Sequence, residues 1–441
     1  MAGFDDLPDK ILLKIFFYLR IDQIILCIRN VCTRWRKVSE DDALWKDSIF
    51  CPDADIPKHY IIFTLENVPV MRTFHYYGTC NVIEKLSECC RRVTELIIPH
   101  IELRAALLEV TMERLTELRV LHITISPTEE GLKITSFIGQ SETLTSLTLR
   151  SSGARTVAAG LLKPIADGCP NLNILKCEAF NLPNSEICYL LQRKKQQLEA
   201  YDHYGLLSPE FLEALNECTN LHAISFLDVD FDGPFKNIPP VTNFRNLRTF
   251  EMAACRLPML KIIPLTLFLD TLSHLTLIGI TYASANIDDL LNKIILKSPV
   301  LVHLDLEGNS ELRCRGLRNI STCKMLKHLD VSHCPALGAK AIKYVAEGCP
   351  QLQLLDVSGI PMSGSIFRQI LRCRNLKALF FIRCDLRGIN LKLVSTYIPG
   401  LLHLCIGPGF PLSNEALREI KQQMPHLTIN IGSALSDKCE V

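Results

Sequence analysis

The sequence predicts an α/β repeat protein: a small helical segment at the N-terminus, then a long array whose unit is one short strand, a turn and a helix. Three observations predict it. The spacing L-x-x-L-x-L, with conservative swaps, recurs from Val93 to a weak last copy at Leu427. The interval is about 26 residues, inside the roughly 20–29 expected of such repeats. The first fifty residues carry a different, purely helical periodicity and hold both tryptophans, Trp35 and Trp45.

The N-terminal segment comes first. After Leu7-Pro8, apolar residues fall at Ile11, Leu12, Ile15, Phe16 and Leu19, the stripe of one helix face. Pro8 suits a first helical turn and Asp9 the positive end of the helix dipole. Asp22 is the expected N-cap of a second helix through Ile24, Ile25 and Ile28. Val31, Cys32, Trp35 and Val38 give a third apolar face, and Leu44-Trp45 closes the segment. A module this short cannot bury so much apolar surface alone, so part of it is expected to dock on a partner.

The ordered anchors Leu7-Pro8, Ile11-Leu12, Ile15-Phe16, Leu19, Val31-Cys32, Trp35 and Leu44-Trp45 resemble the F-box family over residues 4–50. The resemblance implies docking, through these residues, on the Skp adaptor of an SCF-type ubiquitin ligase and through it on a cullin–RING machine.

Residues 51–90, with Pro52, Pro57 and Pro69, read as a junction that allows a degenerate first repeat near Val68–Phe74. Residues 91–432 read as leucine-rich repeats, about 13–14 copies, and residues 433–441 as a frayed tail. Each unit should place its three leucines inside, as Leu301, Leu304 and Leu306 do, and close with a helix; stacking then buries what one unit cannot. The expected result is a horseshoe with a parallel sheet on its concave side and helices on its convex side. Helices read clearly at Ala158–Gly168, Ile287–Lys297, Ala341–Glu347 and Glu415–Gln423. The copy at Leu198 turns Tyr201 and His203 inward, and the prolines 234, 239 and 240 break the helix expected after the Leu221 strand.

Cysteine belongs to the pattern. Cys90, Cys169, Cys218, Cys323, Cys349 and Cys373 stand three residues before the first leucine; Cys255, Cys334 and Cys384 stand eight after it, with Asn309 in the same place. This resembles the cysteine-containing subclass of leucine-rich repeats. The thiols are expected to pack or to accept turn N–H groups, reduced, in the cytoplasm or nucleus.

Alternation turns positions 3, 5 and 7 of each strand outward. From the eighth copy, position 3 reads His274, His303, His328, Leu354, Ala378, His403, and position 5 reads Thr276, Asp305, Asp330, Asp356, Phe380, Cys405. Leu354, Phe380 and Ile382 form an outward apolar cluster beside a ladder of Asp305, Asp330 and Asp356, the expected contact surface for a protein substrate.

The balance of 48 Lys+Arg against 47 Asp+Glu gives no basic field for nucleic acid. No secretory signal is expected, since Asp5, Asp6 and Asp9 stand where basic residues would be. The apolar stretch from Leu260 to Ile280 is interrupted by Lys261, Pro264, Asp270 and His274, too costly for a membrane span. No phosphate loop, zincin motif or nucleophile elbow occurs, so no catalytic residue, metal or cofactor is expected. The reading is a non-catalytic substrate receptor of an SCF-type ligase. A scaffold that holds the adaptor without delivering targets remains open, as does, less well, an enzyme-inhibitor-like repeat protein.

Overall fold

The computed structural model describes residues 7–19, 21–46, 49–68, 70–153, 158–178, 182–231, 246–257, 270–282, 287–407 and 414–432. The chain divides into two compact units, residues 1–200 and 201–441.

The first unit begins with α1 (Asp9–Phe16), α2 (Ile21–Leu26), a 3₁₀ turn at Ile28–Asn30, α3 (Thr33–Val38) and α4 (Asp42–Lys46). Pro8 is the N-cap of α1, in extended backbone. The reading of Asp22 as an N-cap is corrected. The helix already begins at Ile21, so Asp22 lies inside its first turn and lacks the non-helical backbone a cap requires. Leu12, Phe16, Ile24, Ile25, Leu44 and Trp45 are buried. The Trp45 indole N–H donates to the Ser39 carbonyl at 2.7 Å, satisfying the one polar atom of that ring.

The strand ladder follows at once. β1 (Ile49–Phe50), β2 (Thr73–His75), β3 (Glu95–Glu102), β4 (Val120–Ile125), β5 (Ser146–Ser151) and β6 (Ile174–Glu178) pair in parallel in chain order. Between them run α5 (Lys58–Asn67), α6 (Ile83–Cys89), α7 (Ala105–Arg114), α8 (Glu129–Gly139) and α9 (Lys163–Asp167), and α10 (Asn184–Lys194) follows β6. Residues 51–90, read as a junction, thus belong to the ladder. Phe74 aligns with Leu96 across β2 and β3, and Met71, Phe74 and Tyr76 fill the three inner positions, all buried. Large non-leucine residues replace the signature without changing the packing. The helix expected over Ala158–Gly168 is shorter, because Pro164 fits only a first turn and Gly160 has φ 83°.

In the second unit come β7 (Ala200–Leu207), α11 (Pro209–Asn216), β8 (Ala223–Phe231), β9 (Thr249–Ala253), β10 (Arg256–Leu257), β11 (His274–Ile278), β12 (Thr281–Tyr282), α12 (Ile287–Lys297), β13 (His303–Asp305) and β14 (His328–Asp330). Then follow α13 (Ala339–Gly348), β15 (Leu354–Asp356), α14 (Gly364–Ile370), β16 (Ala378–Phe381), α15 (Leu393–Tyr397), β17 (His403–Ile406), α16 (Asn414–Gln423) and β18 (Thr428–Ile431). From β8 the main-ladder strands pair in parallel in order, while β10 and β12 form a small sheet of their own. Leu301, Leu304 and Leu306 are fully buried. The helices meet this inner face: Phe367 of α14 lies 6.2 Å from Phe381, and Phe211 of α11 stacks on His203 at 4.3 Å. The prolines after β8 and the tail at 433–441 lie outside the described residues.

Two features tie neighbouring repeats together. The eighth residue of the strand segment is left-handed in seven copies: Asp228, Ala254, Gly279, Gly308, His333, Gly359 and Arg383. It turns the chain so that the next side chain reaches back. Cys255, Cys334 and Cys384 donate there to the carbonyls of Phe226, Leu306 and Val357 at 3.2, 3.1 and 3.1 Å, and Asn309 donates to Leu277 at 2.5 Å. Carboxylates form the second tie. Glu130 accepts from the Ala105 N–H at 2.7 Å, Glu186 from Gly160 at 2.5 Å and Leu162 at 3.2 Å, and Asp288 from Arg313 at 2.8 Å.

The expectation that the thiols accept turn N–H groups is corrected for the set before the leucines. Cys90 donates to the Leu65 carbonyl at 3.4 Å, Cys169 to Ile138 at 3.1 Å and Cys323 to Ser298 at 3.4 Å. These carbonyls lie at or just after helix ends of the preceding repeat, where intrahelical donors run out; at Ile138 and Ser298 the thiol adds to the N–H of Ser141 and of Leu301. The described cysteines form no disulfides, and burial pushes the thiols of Cys90, Cys334, Cys349 and Cys373 up to about 12. Among the described residues no helix is long and apolar enough to cross a membrane.

Candidate docking surfaces

The predicted adaptor-binding residues separate into two groups. Leu12, Phe16, Leu44 and Trp45 are buried, and Trp35 is half-buried with its ring 5.5 Å from Phe16. These are the support. Pro8, Ile11, Val31 and Cys32 are exposed, and Leu7, Ile15 and Leu19 are half-buried. These are the surface. Cys32 also caps α3, its sulfur accepting the Trp35 N–H at 3.4 Å. Arg34 fixes the start of the module: it bonds the Asp9 carboxylate at 2.8 Å and donates to the Leu7 carbonyl.

The sequence reading missed Phe17, Tyr18 and Leu26, all exposed, with Tyr18 at 91 %. Phe17 and Tyr18 stand beside the buried stripe of α1 and were absorbed into its apolar run. An aromatic pair between the stripe positions Phe16 and Leu19 is the signal that finds them. A small module that leaves these side chains in water, beside Ile11 and Val31, has a surface suited to a partner.

Behind that surface, Arg29 links the module to the first helix of the ladder. Its guanidinium donates to the Asn67 carbonyl at 2.6 Å and to Glu40 at 3.1 Å. A cavity of about 240 Å³ opens beside it, bordered by Trp45, Glu66 and Val68.

On the outward strand face of the first unit, His75 meets Glu95 at 2.8 Å and His122 lies 3.8 Å from Glu178. Burial, with Arg150, His100 and Lys176 nearby, brings His122 down to about 4.

In the second unit the register brings the predicted substrate residues together. Asp305 pairs with Asp330, Asp330 with Asp356, and Asp356 with Phe380. Phe380 is half-buried and outward while Phe381 is fully buried, as the alternation required. Leu354 and Ile382 are also half-buried, Ile382 in the turn after β16. The open acidic ladder is corrected in depth. Asp305, Asp330 and Asp356 are buried, and each accepts an N–H two residues on: Glu307 at 3.0 Å, Ser332 at 2.8 Å and Ser358 at 2.8 Å. Such turns are a local use of Asp. Glu307, which the sequence reading passed over, is half-exposed, and its carboxylate lies with those of Asp305 and Asp330 within 4.8 Å. It is the one group of possible metal-ligand carboxylates among the described residues. Beside the acids, His274, His303 and His328 form a row with ring centres 5.8 and 5.7 Å apart.

Residues 4–50 match the F-box-like family model. Solved structures similar to the chain include an internalin of Listeria monocytogenes, at 16% identity and TM-score 0.42, covering 81% of this chain and 93% of that one. Another is a chain of the mouse RP105/MD-1 complex, at 13% identity and TM-score 0.44, covering 87% and 70%. The repeat architecture is read from this chain's own strand pairing. The protein is an F-box-like domain joined to strand–helix repeats of the leucine-rich type.

Proposed function

We propose that this protein is the substrate-recognition subunit of an SCF-type ubiquitin ligase. The F-box-like segment docks on the Skp adaptor, which brings a cullin–RING machine, and the repeats hold a target protein for ubiquitination. The observation that carries the reading is the F-box-like match over residues 4–50, on a module that leaves Ile11, Phe17, Tyr18, Leu26 and Val31 exposed. The protein's role is non-catalytic: it raises the effective concentration of the target at a transferring enzyme. Thiols set by the repeat rather than by pairing suit a reducing compartment, cytoplasm or nucleus.

The test is adaptor capture by the full chain. Leu7→Ala with Pro8→Ala, and separately Tyr18→Ala, should weaken it at least tenfold while circular dichroism stays unchanged. Retained capture by both would refute the docking. Depletion in cells should then make a bound protein accumulate. Adaptor capture with no accumulating protein and no change in ubiquitin remnants would point to the scaffold instead.

A further inference from the structure

We propose that the strand face around Phe380 takes an extended segment of a partner protein that carries a lysine or arginine three or four residues from an apolar side chain. The inference rests on the receptor reading and names the chemistry of its target. Leu354, Phe380 and Ile382 supply the apolar contact: all three are half-buried, Leu354 and Phe380 on the neighbouring paired strands β15 and β16 and Ile382 in the turn that follows β16. Charge complementarity identifies what lies beside that contact. The carboxylates of Asp305, Glu307 and Asp330 converge within 4.8 Å. Asp305 and Asp330 are held rigidly by their turns, and Glu307 reaches solvent. Of the neighbouring histidines, His328 is held below its ordinary value by burial, with His274 and Lys327 nearby. A cationic side chain complements the negative charge that the three carboxylates bring together.

The spacing follows from the register. Phe380 is two strands from Asp330 and three from Asp305, so about 10 and 14 Å at roughly 4.8 Å per strand. A segment crossing the strands covers about 3.1 Å per residue in a polyproline-II path, and side chains three apart then share a face. In a β path, residues four apart share a face and span about 13 Å. Both paths place cation and apolar residue where the surface needs them. The cation should speed association and be screened by salt; the apolar residue should set the residence time.

The test is selection from a random peptide library on the full chain bound to its adaptor, with Phe380→Ala and Glu307→Gln chains in parallel. Both substitutions leave the core and the Asx turns intact. The expected result is enrichment of Lys or Arg three or four positions from Leu, Ile, Met or Phe. Synthetic peptides of that pattern should bind at least tenfold more weakly to Phe380→Ala, several-fold more weakly to Glu307→Gln, and lose the Glu307 effect in high salt. An acidic consensus overturns the proposal, and so does a selection that both variants leave unchanged or one that enriches nothing. Competition by calcium or manganese alone at micromolar levels would also overturn it, assigning the acids to a metal. Adaptor capture, measured on the same preparations, is unaffected by either variant. Its loss in the unmodified chain is the separate failure of the receptor reading.

Discussion

Arg29 offers the sharpest test of how the helical module is held to the repeats. Arg29→Met keeps the aliphatic stem and removes the guanidinium. Two strong contacts disappear, together with a long one to the Asn67 side-chain oxygen at 3.5 Å. The bond to the Asn67 carbonyl, 2.6 Å long and part-buried, involves a charged donor and the last residue of α5, where no intrahelical partner exists; such bonds contribute about 1.5–3 kcal/mol. The pair with Glu40, at 3.1 Å, has its carboxylate 54% exposed, so it resembles a surface pair of about 0.2–1 kcal/mol. The sum is about 2–4 kcal/mol at one joint. Hydrogen exchange read by mass spectrometry should show amides of α2, α3 and the end of α5 exchanging roughly 30- to 700-fold faster, by the rule of tenfold per 1.4 kcal/mol. Amides of β13 to β15 should not change. Glu40→Gln should do far less than Arg29→Met. Wild-type exchange in α2 and α5 of the Arg29→Met protein would show that Arg29 does not hold this joint.

The remaining predictions can be checked with small amounts of protein. His122 and His203 are held at about 4 mainly by burial; their folded pKa is depressed, so the unfolded chain binds more protons and stability falls as pH drops from about 6.5 to 4, then levels. His203→Phe, which keeps the stack on Phe211, should flatten the fall of melting temperature over that window, and an unchanged acid slope would refute the assignment. Alkylation of the native protein should reach the exposed Cys27, Cys32, Cys51 and Cys80 first and leave Cys334 and Cys349 unmodified until unfolding, when titration without reductant should approach 19 thiols; early modification of Cys334 contradicts its burial. Phe381→Ala should cost about 3–5 kcal/mol as a core deletion and Phe380→Ala within about 0.5 kcal/mol, and equal losses in thermal melts would mean the register is off by one. Gly359→Ala should destabilise, because the residue has φ 69° and its new Cβ would meet the His333 ring at 2.5 Å; a neutral melting temperature would count against that turn.

The period, the parallel order and the inner leucines were legible because one residue type marks each of them at fixed spacing. Before Val93 the reading went no further than allowing a degenerate copy near Val68–Phe74, because Met71, Phe74 and Tyr76 fill the same volumes without the leucine signature. The left-handed turn was half visible. Gly279, Gly308 and Gly359 hint at it, but Asp228, Ala254, His333 and Arg383 adopt it without announcing it. For the sites, alternation gave the side each residue faces but not its depth. Asp330 and Phe380 both occupy outward strand positions, yet Asp330 is buried in its turn and Phe380 is only half-buried. In the helical module, the anchors were found as a set, and the structure divides them into exposed residues and buried ones.

The carboxylates that reach from one repeat to the backbone of the next bear on how such an array can change over generations. Glu186 belongs to one copy and the Gly160 and Leu162 amides to the copy before it; Asp288 serves the copy after its own. Units joined only by leucines would be interchangeable modules, free to be duplicated, lost or shuffled. Units that complete one another's hydrogen bonds are not, since excising the copy that carries Glu186 would strand two amides in its neighbour. Around these acids the array is therefore fixed in length and order, and variation is channelled into the outward strand positions, where a substitution disturbs no neighbour's backbone.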